Sequence, residues 1–234
     1  MTAPLARHSF PQGAALAEGL ARFTATHLTD AIRVAGGAVL AVSGGRTPTR
    51  FFEALSAADI AWDRVTVTLV DERWVGEESE RSNARLVRAH LLKGPAAAAR
   101  FLPLYTGDLT PEDGIAALSA ELAALPLPIA VAVLGMGDDG HTASFFPGGA
   151  GLAHALDPED GAVLAAVRSD AAGEPRITFT LPPLLASAAL ALHVEGAGKA
   201  KVLEKALEPG PEADMPIRAV LRRSPRPVNL FWCP

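Results

Sequence analysis

Three short segments carry side chains able to do chemistry, and each directly follows an apolar run. The first is Ser43-Gly44-Gly45-Arg46-Thr47-Pro48. Two glycines let the backbone turn tightly and approach a ligand closely. A helix opening after them aims free N–H groups and the positive end of its dipole into the loop. Together these make an anion site, most naturally for a phosphate. The pattern is not a Walker loop, since no lysine follows the glycines, nor is it Gly-x-Gly-x-x-Gly. The same residues also read as a plain strand-to-helix turn capped by Ser43 or Thr47.

The second segment, Asp71-Glu72-Arg73-Trp74-Val75, breaks abruptly from Val65-Thr-Val-Thr-Leu-Val70. It reads either as a solvated strand end with internal ion pairing or as a functional edge. In the functional reading Arg73 meets a carboxylate, a phosphate or a developing oxyanion, and Asp71 either binds substrate or pairs with Arg73. The third runs from Gly135 to Gly148 and holds Asp138, Asp139 and His141 among small residues. Imidazole titrates near neutrality, so His141 suits proton transfer, and Asp139 is placed to bond one ring nitrogen and leave the other as base. A calcium reading fails, because alternating oxygen ligands and a closing glutamate are missing. His8, His27, His90, His154 and His193 lack ligand-pair spacing and read as structural, so no metal site is expected.

Two further cations stand at element starts. Arg176 opens Arg-Ile-Thr-Phe-Thr-Leu, and Lys199 follows Gly196-Ala197-Gly198 at the start of a helix, where a cation opposes the dipole unless an anion binds. Lys201 and Lys205 fall on the same helix and read as its solvent face.

The elements that must position these residues follow from periodicity. Helical spacing predicts helices over 11–34, 48–58, 83–92, 111–125 and 198–208. Buried strands are expected at 38–42, 65–70 and 129–134, with a short one at 101–105 and later ones at 162–167, 176–180, 189–194 and 228–232. Alternating helices and doubly apolar strands imply an α/β fold, a mostly parallel sheet with helices on both faces. Ligands of such sheets bind beyond the carboxyl ends of the strands, so the segments after Val42, Val70 and Leu134 should converge.

Composition bounds the function. The 234 residues suggest one large domain or two small ones, and 49% hydrophobic content excludes a disordered chain. One cysteine, Cys233, excludes an internal disulfide framework or thiolate metal cage. A net charge of -5 argues against nucleic acid, but a few focused cations still suit a small anion. No signal-peptide pattern or membrane-length apolar run is present, so a soluble cytoplasmic protein is expected, monomeric or weakly self-associating.

Taken together, the motifs resemble the 6-phosphogluconolactonase family. The matching segments are Val-Ser-Gly-Gly-Arg-Thr-Pro (42–48), Asp-Glu-Arg-Trp-Val (71–75), Ser-Asn-Ala-Arg-Leu (82–86), Leu134 through Gly148, Arg-Ile-Thr (176–178) and Gly-x-Gly-Lys-Ala (196–200). The resemblance spans essentially the whole chain and implies a single domain over 1–234. It implies a modified Rossmann-like sheet, shared with glucosamine-6-phosphate deaminases, and no cofactor. The partner it implies is a small phosphorylated sugar lactone. It further implies phosphate binding by Ser43, Gly44, Gly45, Arg46 and Thr47 with Arg176 and Lys199, sugar contacts from Asn83, and catalysis by His141, Asp139 and Arg73.

The chain departs from the family at Ala84, where an aromatic is usual, at Gly76 and Asp138, where proline is usual. The deaminase branch carries a glutamate at the place of Phe146 and a tyrosine at that of Arg73, which argues against amino-sugar chemistry. A nucleophilic Ser43 lacks the glycine that an elbow needs, because position 41 is Ala41. A non-catalytic sugar-phosphate sensor would leave His141 and Arg73 without work.

Overall fold

The structure, a computed structural model, describes residues 5–45, 47–170 and 172–234. Arg46 lies outside the described residues. The chain opens with β1 (Leu5–Ser9), α1 (Gly13–Ala35), β2 (Ala38–Val42) and α2 (Thr49–Ser56). It continues through β3 (Val65–Leu69), β4 (Asp71–Arg73), α3 (Asn83–His90), β5 (Arg100–Leu102), α4 (Pro111–Ala123) and β6 (Val131–Leu134). Next come α5 (Leu152–Leu156), β7 (Leu164–Val167), β8 (Arg176–Phe179), α6 (Leu181–Leu185) and β9 (Ala189–Glu195). The last elements are α7 (Ala197–Leu207), α8 (Ile217–Arg223) and β10 (Val228–Cys233).

Seven strands form one parallel sheet in the order β1-β10-β9-β6-β2-β3-β5. Every residue of β2, β3 and β6 is buried, which is why these segments read as unbroken apolar runs. Helix α1 lays Leu16, Leu20 and Leu28 on the sheet and stops at Gly36, whose left-handed backbone bonds the Ile32 carbonyl. From β2 the chain winds outward through β3 and β5, and from β6 it winds the other way through β9 and β10. The topological switch point therefore lies between β2 and β6, and the crevice beyond their carboxyl ends is where a ligand site belongs. Among the described residues no helix is long and apolar enough to cross a membrane.

Segments 162–167 and 176–180 do not join the parallel sheet. Strands β7 and β8 pair antiparallel, and β8 pairs antiparallel with β4. Only residues 168–175 connect β7 to β8, too few for the crossover that parallel neighbours need, so they fold back on each other. The chain passes between sheets at Val70, whose N–H donates to Val42 and whose carbonyl accepts from Phe179. Asp71-Glu72-Arg73, expected as a strand end, is thus a strand of its own. Strand β1 and the short helices α5, α6 and α8 have no counterpart in the expected elements, because five to seven residues are too few to establish a periodicity.

Candidate active site

The switch point opens into a cleft of about 500 Å³. Ser43, Gly44, Gly45 and Thr47 line it from the turn after β2, Asp71 and Arg73 from β4, and Asn83 from the start of α3. His141 enters from the loop after β6, Arg176 from β8 and Lys199 from the first turn of α7. The expected convergence of the three strand ends is realised. Asp139 stands behind His141 rather than on the cleft wall. Asp138 is exposed at the rim.

Two hydrogen bonds lock the turn to the neighbouring strand. The Ser43 N–H donates to the Val133 carbonyl at 3.0 Å, and the Gly135 N–H donates to Ser43 Oγ at 3.1 Å. Ser43 is therefore a brace between the two strand ends. Gly44 is required by what lies above it, since a Cβ there would sit 1.8 Å from Oδ1 of Asn83. The Asn83 amide in turn donates to the Asp71 carbonyl at 2.9 Å, so turn, strand β4 and helix α3 are fitted to one another.

His141 and Asp139 form a built pair. Asp139 Oδ1 lies 2.6 Å from ring Nδ1 and also accepts the His141 backbone N–H at 3.0 Å. Burial works against ionisation of Asp139, but these bonds outweigh it and hold its carboxyl below the usual range. An ionised Asp139 assigns the proton to Nδ1 and leaves the Nε2 lone pair free. Gly137 clears the space, because a Cβ there would lie 2.2 Å from the ring. The ring of Phe146 packs against the imidazole with centroids 4.7 Å apart.

Strand β4 divides its three residues between two faces, as a strand must. Asp71 and Arg73 look into the cleft, while Glu72 turns away and is fully buried. Asp71 Oδ2 accepts from Ser144 Oγ at 2.5 Å. Glu72 accepts from the N–H groups of Arg73, Asn83 and Ala84, each at 2.8 Å, and from Ser82 Oγ at 3.2 Å. It caps α3 and so places Asn83. Burial pushes its carboxyl up to about 7, more than the three N–H groups pull it down, with Asp71 adding to the rise.

The register of β4 on β8 sets Arg73 directly opposite Arg176. Like charges opposed across a strand pair are unfavourable, and Asp71 and Glu174, whose carboxylate lies 4.0 Å from Arg176, offset the repulsion only in part. Arg176 is 5% exposed, donates one Nη to the Ala172 carbonyl at 2.9 Å and lies over the Phe146 ring. Burial lowers its pKa, with Arg73 adding to that and Asp71 opposing it. Among the described residues, the Nε atoms of both Arg73 and Arg176 are buried without a partner. Arg81 joins them on the cleft wall, ion-paired to Glu174, and its carbonyl accepts from Arg73. Among the described lining residues, Arg73, Arg81, Arg176 and Lys199 face Asp71 and Asp138, so a chain of net charge -5 presents a cationic cleft. Unsatisfied buried donors beside paired cations are the mark of a site completed by an anion.

Sequence reasoning missed Arg81, Ser144, the capping role of Glu72, and His193, which also borders the cleft. For His193 a signal was present: it interrupts an otherwise apolar strand two residues before Glu195. Among the described residues no group of three or more His, Cys, Asp or Glu is placed to hold a metal ion.

Comparison with known proteins places the chain in a family. Residues 11–232 match the family model of glucosamine-6-phosphate isomerases/6-phosphogluconolactonase. A 6-phosphogluconolactonase from Rhizobium meliloti is 51% identical over 97% of this chain and 98% of its own length. One from Mesorhizobium japonicum is 53% identical over 97% of this chain and 94% of its own. The crystal structure of a 6-phosphogluconolactonase from Shewanella baltica superposes with a TM-score of 0.95 at 41% identity, covering 98% of each chain.

Proposed function

The chain belongs to the glucosamine-6-phosphate isomerase/6-phosphogluconolactonase family, and from that premise we propose that it hydrolyses 6-phospho-D-glucono-1,5-lactone to 6-phosphogluconate, the lactone step of the pentose phosphate pathway, with His141 as general base. The observation that carries this reading is the Asp139–His141 pair opening on the same cleft as the Ser43–Thr47 turn and the unsatisfied arginines.

The phosphate docks against the N–H groups of Gly44 and Gly45 in the turn after β2, and Arg176 and Lys199 neutralise it. Asn83 meets the sugar hydroxyls. Nε2 of His141 takes a proton from a water as that water adds to the lactone carbonyl, while Asp139 holds the ring and stabilises the imidazolium. Arg73, across the strand pair from Arg176, extends the cationic wall to the carbonyl and stabilises the oxyanion. Collapse of the tetrahedral intermediate breaks the ring C–O bond, and the imidazolium returns its proton to the departing sugar oxygen. Lactones are reactive esters, so no covalent nucleophile is needed, and Ser43 is already committed to Gly135.

The competing amino-sugar reading needs a glutamate at position 146, and Phe146 stands there with its ring against the imidazole. A coupled assay with freshly generated lactone, corrected for spontaneous hydrolysis, tests the proposal against glucosamine 6-phosphate. Lactone turnover without deamination is the expected result, and deamination without lactone turnover would reverse the assignment.

A further inference from the structure

His193 is a cleft residue that the mechanism above leaves idle. It lies on β9 with Leu192 opposite Leu134, so it follows the strand end beside the one that carries the His141 loop. Its side chain is almost wholly buried, yet it borders the cleft together with Gly44, Gly45 and Pro48 before α2 and Lys199 on α7. The edge of its ring meets Phe51 of α2 at a centroid distance of 6.4 Å.

One ring nitrogen is committed. Nε2 lies 2.9 Å from Oε1 of Glu195, which shares its face two residues along the strand. Glu195 is itself 3.7 Å from Arg50. The bond from His193, more than burial opposes it, holds the Glu195 carboxyl below its usual range, with Arg50 and Lys199 contributing. Opposite Glu195 on β10 stands Cys233, whose thiol burial pushes up. Glu195 is therefore an anion that orients the imidazole. Among the described residues, Nδ1 has no hydrogen-bond partner. A histidine nitrogen with no protein partner is left to water or to a ligand. Here the unanswered one belongs to a ring on the wall of an anion cleft.

We propose that His193 is a ligand-contact residue, in which Glu195 anchors Nε2 and Nδ1 bonds a phosphate oxygen of the ligand, so that the pair selects phosphorylated over unphosphorylated lactones. The proposal rests on the phosphate-end reading of the Ser43–Thr47 turn and Lys199.

Two variants separate the nitrogens. His193→Gln keeps a donor near Nε2 for Glu195 and removes the group at Nδ1, while His193→Asn keeps a donor near Nδ1 and gives up the anchor. For His193→Gln, the KM for the phosphorylated lactone should rise about tenfold, the worth of one charge-assisted bond, with kcat and the kcat/KM for glucono-1,5-lactone within about twofold. His193→Asn should retain more of the affinity. An unchanged KM in His193→Gln, or equal losses on both lactones, would overturn the proposal.

A measurement on the wild-type protein guards against misfolded variants. The ¹⁵N resonance of His193 Nδ1 should shift on titration with inorganic phosphate, and a resonance unmoved at saturation would also overturn it. If the wild type fails to hydrolyse the lactone, the functional reading falls, while the phosphate titration still decides His193.

Discussion

Arg218 and Arg176 are both 5% exposed, yet the protein treats them in opposite ways. Arg218, on α8, donates Nε to the carbonyl of Ala206, Nη1 to Pro211 and Nη2 to Lys205, at 3.1–3.3 Å. It closes off carbonyls at and beyond the carboxyl end of α7 that the helix cannot satisfy itself. Arg176 has one backbone bond, a carboxylate of Glu174 no nearer than 4.0 Å, a like charge opposite it and, among the described residues, an Nε with no partner. A buried cation surrounded by acceptors holds the fold together, whereas one denied them is kept ready for a ligand.

Neighbouring acids on β4 repeat the contrast. Glu72 collects four donors and serves α3, whereas Asp71, one residue earlier, lines the cleft and takes a hydroxyl from Ser144. Strand alternation alone separates the two roles.

Substitutions on each side of this divide should behave differently. The largest effect is expected within the ligand region: His141→Ala should lower kcat about 10²–10⁴-fold while calorimetry finds 6-phosphogluconate binding within about twofold of wild type. Turnover near the wild-type rate would remove His141 as the base. On the structural side, Arg218→Met should cost at least about 3 kcal/mol in urea unfolding, since several carbonyls lose a charged donor. Its kcat per folded molecule should be unchanged, and a catalytic defect in a stable variant would blur the distinction drawn here.

Arg176→Met should do the reverse. Binding of 6-phosphogluconate should weaken about 30–100-fold, the cost of one charge-assisted contact to a phosphate. Stability of the ligand-free protein should hold within about 1 kcal/mol or rise, because a like-charge pair is relieved. A stability loss as large as that of Arg218→Met would place Arg176 with the structural arginines.

The smallest effect concerns Glu72. Its carboxyl is raised to about 7 from an ordinary 4.5, so between these values the folded protein holds a proton that the unfolded chain has released. Stability should therefore fall as pH rises from 4.5 to 7, by on the order of 2 kcal/mol. Thermal unfolding across that range checks it, and Glu72→Gln should flatten the slope. An equal slope in the variant would assign the dependence to other groups.

Much of this was legible before any coordinates. Strand β2 ends where the apolar run ends, and α1 lies within a residue or two of its expected bounds. The Asp139–His141 bond follows from a two-residue spacing in a glycine-rich loop. The second sheet was not legible, because the apolar character of β7 and β8 suits a parallel strand equally well, and only the short link between them forbids it. His193 was passed over for a related reason. A histidine that interrupts an apolar strand two residues before a glutamate signals a pair on one face, but nothing local says whether that face is core or cleft.

Local pattern, taken alone, determined the type of the longer elements, the parallel character of the main sheet and the residue types placed at its strand ends. Periodicity, turn residues and abrupt changes of polarity act over a few neighbours and need no knowledge of the rest of the chain. Only the tertiary structure decided that Arg73 faces Arg176, that Asn83 covers Gly44 and that Glu72 is sealed away from water. Those facts depend on the register between segments far apart in the chain. A slip of one residue there exchanges the faces of a strand, turning its cleft residues into the core.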